Sequence, residues 1–103
     1  MRNQAFLMKQ LQQVQNMMLK FQEELASKEF TGEAGGGLVK VKVNGLQDVL
    51  EVKIDPQAVD PDDVETLEDL ILVAIRQAIN KSKEAQQASM QGMASKLGLP
   101  NLF

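Results

Sequence analysis

Apolar residues recur along residues 2–28 at Leu7, Leu11, Val14, Met18, Phe21 and Leu25. Their spacing alternates between four and three, which places them on one side of an α-helix as a coiled-coil-like seam. The stretch contains neither Gly nor Pro and is filled out with Gln, Lys and Met, so one long amphipathic helix is predicted. At "LVKVKVN" the period changes to two. Val39, Val41 and Val43 fall on one face of a strand, and Lys40 and Lys42 on the other. Asn44-Gly45 is a hairpin signal. "VLEVKID" then returns with Leu50, Val52 and Ile54 on one face and Glu51 and Lys53 opposed, which makes Lys42 and Glu51 expected cross-strand partners. Ahead of this hairpin "FTGEAG", residues 30–35, reads as a further short strand. Beyond it, Asp60 suits a helix N-cap, Pro61 the first helical position, and Asp62, Asp63 and Glu65 the positive end of the helix dipole. A second helix is predicted from Pro61 to about Ser89, with Val64, Leu67, Ile71, Ala74, Ile75, Ala78 and Ile79 on its apolar face. Gly92 closes the pattern. The expected organisation is one folded domain over 1–91 and a flexible tail over 92–103.

The fold class is therefore α+β: a long N-terminal helix, a small antiparallel three-stranded sheet and a long C-terminal helix. A helix over 2–28 is about 40 Å long, whereas a strand of this size spans about 23 Å. The first helix must overhang its own sheet while its seam continues, and an exposed seam of that length is a sticky patch. A homodimer is expected. Its core and interface are assigned to Leu7, Leu11, Val14, Met18, Phe21, Val39, Val41, Val43, Leu67, Ile71 and Ile75.

Charge changes the picture only when it is located. The chain of 103 residues carries 11 Lys and Arg against 14 Asp and Glu, a net −3. Half of the acids, Asp55, Asp60, Asp62, Asp63, Glu65, Glu68 and Asp69, lie in one short stretch without a base. Both helical regions are positive. Arg2, Lys9, Gln13, Asn16 and Lys20 form a stripe on the first helix opposite its seam, and Arg76, Asn80, Lys83 and Gln87 form a second stripe on the other helix. The plainer reading of each stripe is an ordinary solvated back face.

Catalytic and metal chemistry find little to work with. The chain has no Cys and no His, so it lacks a thiol nucleophile and the commonest general base and zinc ligand. The acidic stretch does not have the spacing of an EF-hand loop, and capping explains it, so no metal and no cofactor are expected. "GEAGGGLVKVKVNG" invites a phosphate-loop reading. Gly32 and Gly37 have the required separation, but Leu38 and Val39 follow where Lys and Ser/Thr are needed. A dinucleotide loop requires a strand before and a helix after, the reverse of the order here. The glycines are expected to form a turn into the hairpin. The longest apolar run, "LILVAI", is too short for a membrane span, and the N-terminus lacks an apolar signal core. A soluble, cytoplasmic chain without a small-molecule substrate is expected.

In combination, "GEAGGGLVKVKVNG", "VLEVKIDP", "DPDDVETLEDLILVAI" and the C-terminal "GLPNLF" resemble the YbaB/EbfC family of bacterial nucleoid-associated proteins. The similarity spans nearly the whole chain. It implies an α-β-β-β-α subunit, a homodimer with tweezer-like helical arms, no catalytic motif, and binding to double-stranded DNA that can alter DNA conformation. Contacts in the family are assigned to the arms. Here that points to Arg2, Lys9, Lys20, Lys81 and Lys83, with Arg76, and to the amides Gln13 and Asn16 of the first stripe. A nucleoid location follows from the same resemblance. The competing expectation is a protein-interaction module that acts with DNA repair or recombination factors through the seam and arms.

Overall fold

The structure is a computed structural model that describes residues 2–96 and 98. Its order is α1 (Arg2–Ser27), β1 (Glu29–Ala34), β2 (Val39–Asn44), β3 (Val49–Ile54), a single 3-10 turn (Pro56–Ala58) and α2 (Val64–Lys96). The strands form one antiparallel sheet in the order β1-β2-β3. The α+β, α-β-β-β-α fold is thus the one expected from the periodicities.

Val39, Val41 and Val43 are fully buried, as their alternation requires. With Ala34 they meet Ala74 and Ala78 of α2 in a small core, flanked by half-buried Phe30, Leu67, Leu70, Ile71, Ile75 and Ile79. Helix and sheet approach unusually closely. A Cβ at Gly32 would stand 2.0 Å from the carbonyl oxygen of Ala74 and 2.6 Å from the amide nitrogen of Ala78. The small residues at 32, 74 and 78 let backbone lie on backbone. Gly32→Ala is expected to destabilise the fold by about 3 kcal/mol or more, because neither helix nor strand backbone can yield without disturbing the valines beneath. Urea unfolding measures this, and a midpoint equal to that of the unaltered chain would refute the close packing.

Several details depart from the sequence expectation. α2 packs across β1 and β2, so the valine face is covered there while β3 stays open. Val52 pairs with Val41 and Ile54 with Val39, which puts them on the valine face, but every residue of β3 is exposed. Leu50 does not join that face. Val43 pairs with Val49 and Lys42 with Glu51, which leaves Leu50 as the extra residue of a β-bulge. Lys42 does stand opposite Glu51, yet its ion pair is with Glu29 at 3.4 Å, and Glu51 pairs with Lys53 at 3.3 Å.

The hairpin turn forms at Asn44-Gly45, but its left-handed residue is Gln47, at φ 64. Gly45 serves α1 instead. Its N–H donates to the Leu25 carbonyl at 2.8 Å and to the Lys28 carbonyl at 3.1 Å, closing the C-terminus of α1. Leu25 is buried there, at the sheet end of the seam.

α2 begins at Val64, later than expected, and its cap is Asp63 rather than Asp60. Asp63 Oδ1 accepts from the Thr66 N–H at 3.3 Å, and Asp63 Oδ2 from the Thr66 hydroxyl at 2.6 Å. Asp60 closes a turn one step earlier, accepting from the Asp62 N–H at 2.9 Å. Asp63→Ala should cost about 1 kcal/mol of unfolding free energy and Asp60→Ala less. Equal losses in denaturant titrations would contradict this assignment of the cap. At its other end α2 continues past Ser89 and Gly92 to Lys96. The rest of the expected tail, apart from Gly98, lies outside the described residues.

Candidate nucleic-acid interface

The seam of α1 is unpaired within the chain. Leu7, Leu11, Val14 and Met18 are all exposed, Leu11 by 64%, while Phe21 is half-buried. α1 meets the rest of the fold near its C-terminal end. Leu25 sits against Gly45, and the next turns outward run beside the last turns of α2, with Met17, Phe21, Ser89 and Met93 lining a common groove. The two helices run antiparallel, both leading away from the sheet. The chain extends over 73 × 22 × 16 Å, with a radius of gyration of 19.9 Å; a compact chain of this length has a radius of about 13 Å.

The α1 stripe lies on its arm, whereas the α2 stripe backs the stretch that covers the sheet and reaches the arm only at Gln87. Lys9, Gln13, Asn16 and Lys20 are exposed along α1. Arg2 opens α1, but its side chain lies outside the described residues. On α2, Arg76, Asn80, Lys83 and Gln87 are exposed, on the side away from buried Ala74, Ala78 and Ser82. Lys81 lies elsewhere. Its ammonium donates to the Thr31 carbonyl at 2.8 Å, and one turn earlier Gln77 Oε1 accepts from the Glu33 N–H at 2.7 Å. Both bonds reach the open edge of β1, so Lys81 has a structural task that its sequence position did not disclose. Lys96 was not among the expected contacts because the helix was expected to stop short of it; it shares the groove between the arms with Lys20.

The outer face of the sheet offers no net field. Lys40 pairs with Glu33 at 4.0 Å, Lys42 with Glu29 at 3.4 Å and Lys53 with Glu51 at 3.3 Å. These are the three ion pairs among the described residues, and they neutralise that face. The seven acids of residues 55–69 sit around the start of α2. Along the helix Asp69, the last of them, is about 10 Å from Arg76 and about 21 Å from Lys83, against a screening length of about 8 Å at physiological salt. Lys83 is thus well separated from the acids, and Arg76 only just.

Gly35, Gly36 and Gly37 have φ of 65, 68 and 92 and connect β1 to β2. Only glycine adopts such a run without strain. A strand lies on each side of the loop, where a nucleotide-phosphate loop runs on into a helix, so it lacks that architecture. Among the described residues no group of three or more His, Cys, Asp and Glu could hold a metal ion, and no helix is long and apolar enough to cross a membrane.

Comparison with known proteins gives this geometry a family. Over 97 residues the chain is 47% identical to a nucleoid-associated protein of Clostridium novyi, covering 94% of this chain and 85% of that one. Over 101 residues it is 48% identical to a nucleoid-associated protein of Chloroflexus aurantiacus, covering 98% and 99% of the two chains. The crystal structure of an uncharacterized protein, HP0035 of Helicobacter pylori, shares the fold with a TM-score of 0.67 at 22% identity, over 81% of this chain and 96% of that one. The sequence profile of the YbaB/EbfC DNA-binding family matches residues 1–97, and the chain belongs to that family.

Proposed function

We propose that the protein acts as a homodimer that binds double-stranded DNA largely without regard to sequence, through phosphate contacts made by its helical arms. The observation that carries this reading is the distribution of charge. Exposed cations and amides line α1 and the outer face of α2, half of the acids gather around the start of α2, and the sheet face is internally neutral. The contacts are assigned to Lys9, Gln13, Asn16 and Lys20 on α1 and to Arg76 and Lys83 on α2, with Arg2 added from the sequence. Lys81 contributes its charge from the β1 edge. Phosphate contacts position a protein on the duplex and carry no base information. A two-armed dimer that spans a stretch of duplex can alter its conformation, and this is the proposed route to nucleoid organisation and gene expression. The nucleoid within the cytoplasm is the corresponding location.

The dimer rests on surface left uncovered. The chain exposes 7869 Å², where a compact monomer of its mass exposes roughly 5,800 Å². Val49, Leu50, Val52 and Ile54 of β3 are exposed, as are Val64, Leu72 and Val73 of α2. β3 is an edge strand of the sheet. A second copy is the proposed cover, with Leu67, Ile71 and Ile75 at the margin between the subunit core and the interface.

The direct test is an electrophoretic shift of a linear double-stranded fragment at low salt with pure protein. A shift is expected with fragments of unrelated sequence. Unshifted DNA would turn attention to a protein partner gripped by the α1 seam.

A further inference from the structure

We infer that the groove between the two arms is a seat for one DNA backbone phosphate per subunit, held jointly by Lys20 and Lys96. The inference rests on the DNA-binding reading and adds a site to it. The groove has a volume of about 340 Å³, within the range of about 300–1,000 Å³ typical of small-ligand sites. Lys20 comes from α1 and Lys96 from the last turn of α2; Ser89 and Glu24 add polar groups, and Phe21 and Met93 apolar ones.

Two features call for an occupant. First, two lysines from different helices line the same groove with one glutamate, Glu24, and no ion pair among the described residues involves any of the three. Like charges brought to one cleft repel, and an anion between them reverses the sign of that interaction. Lys96 also offsets the negative end of the α2 dipole, but that leaves Lys20, in the body of α1, unexplained. Second, Gly92 sits within α2 at the groove. It has no positive φ, and a Cβ added there meets nothing within 4 Å. Glycine inside a helix is unfavourable relative to alanine, and neither backbone conformation nor close packing requires it here. Its effect is to keep the groove open.

The chemistry fits a phosphodiester. Two lysines and the Ser89 hydroxyl supply donors for anionic oxygens, while Phe21 and Met93 offer apolar surface to the adjoining sugar. The seat also continues the α1 stripe, because Lys20 ends the line that begins at Lys9.

Fluorescence anisotropy of a labelled duplex, read across a salt series with the full chain, tests this. Lys20→Ala and Lys96→Ala should each weaken binding about two- to fivefold at low salt, the range of exposed ion pairs. The double substitution should flatten the slope of log K against log salt by about 0.9 per subunit, the signature of one shared phosphate rather than two. Gly92→Met, whose Cβ enters open space, should weaken binding with thermal stability unchanged or raised. Lys53→Ala, on the neutral sheet face, should bind as the unaltered chain does. The seat is overturned if the double substitution costs no more than Lys53→Ala, if it flattens the slope by twice the expected amount, or if Gly92→Met leaves affinity intact. Absence of binding by the unaltered chain overturns the DNA reading and the seat together; normal binding with unaffected variants overturns the seat alone.

Discussion

Affinity for duplex DNA is expected to collapse with salt. If each subunit engages three or four phosphates, a dimer displaces about six to eight counterions, and log K falls against log salt with a slope of roughly −5 to −7. Between 50 and 200 mM salt that is roughly a thousandfold loss or more. Arg76 and Lys83 are the informative substitutions, because both are exposed on the stripe of α2 and neither takes part in an ion pair among the described residues. Replacing both with Ala should weaken binding to all sequences alike and flatten the slope by about 3.6, four contacts per dimer at about 0.9 each. Lys81 is a poorer probe, since its loss would also free the Thr31 carbonyl. Asp62 precedes the start of α2, which is about 18 Å along the helix from Arg76, beyond the screening length at physiological salt, so Asp62→Asn should leave affinity there unchanged. A slope near zero, or an Arg76 and Lys83 double variant that retains the full slope, would reject phosphate-led binding.

The second large effect concerns assembly. Sedimentation at micromolar concentration should give twice the chain mass of 11.4 kDa. Val52→Asp should dissociate the dimer and leave a folded monomer. In one chain Val52 is 45% exposed, so the carboxylate keeps its water. Covered by a second copy it becomes an unpaired buried charge, at about 3 kcal/mol or more per subunit. Two such losses raise the dissociation constant by a factor of roughly 10⁴. Leu67→Asp and Ile71→Asp would be less clear tests, because both residues already pack against the subunit's own core. A wild-type monomer, or a Val52→Asp chain that still sediments as a dimer, would remove β3 from the interface.

What was legible in the sequence is what local periodicity controls. Val39, Val41 and Val43 alternate without ambiguity and are buried as read. "VLEVKI" does not alternate cleanly, since Val49 and Leu50 are both apolar, and pattern alone cannot say which one the bulge expels. Asn44-Gly45 marks the turn, but the requirement for glycine there comes from α1, whose Leu25 carbonyl would lie 2.5 Å from an added Cβ. That contact is tertiary and leaves no local mark. Gly92 read as a stop because helical glycine is unfavourable. The glycine with left-handed φ is Gly98, at 71, whose N–H bonds to the Ser95 carbonyl at 3.1 Å. Lys9, Lys20, Arg76 and Lys83 were legible as an exposed cationic set. The bond of Lys81 to Thr31 and the place of Lys96 on α2 were not legible, because they depend on how α2 lies over β1 and how far it runs.

The bonds from Gln77 and Lys81 to β1 also bear on how the proposed dimer would close. A sheet with two free margins can add copies at both and grow without limit. Here an amide and an ammonium from α2 occupy the backbone groups of Glu33 and Thr31 on one margin, which leaves β3 as the strand available for extension. Two copies joined antiparallel through β3 use the same surface on each side, an isologous pairing that closes on itself. Each outer strand of the joined sheet is then a β1 already sealed by its own helix. In the proposed dimer, growth through the sheet therefore stops at two copies.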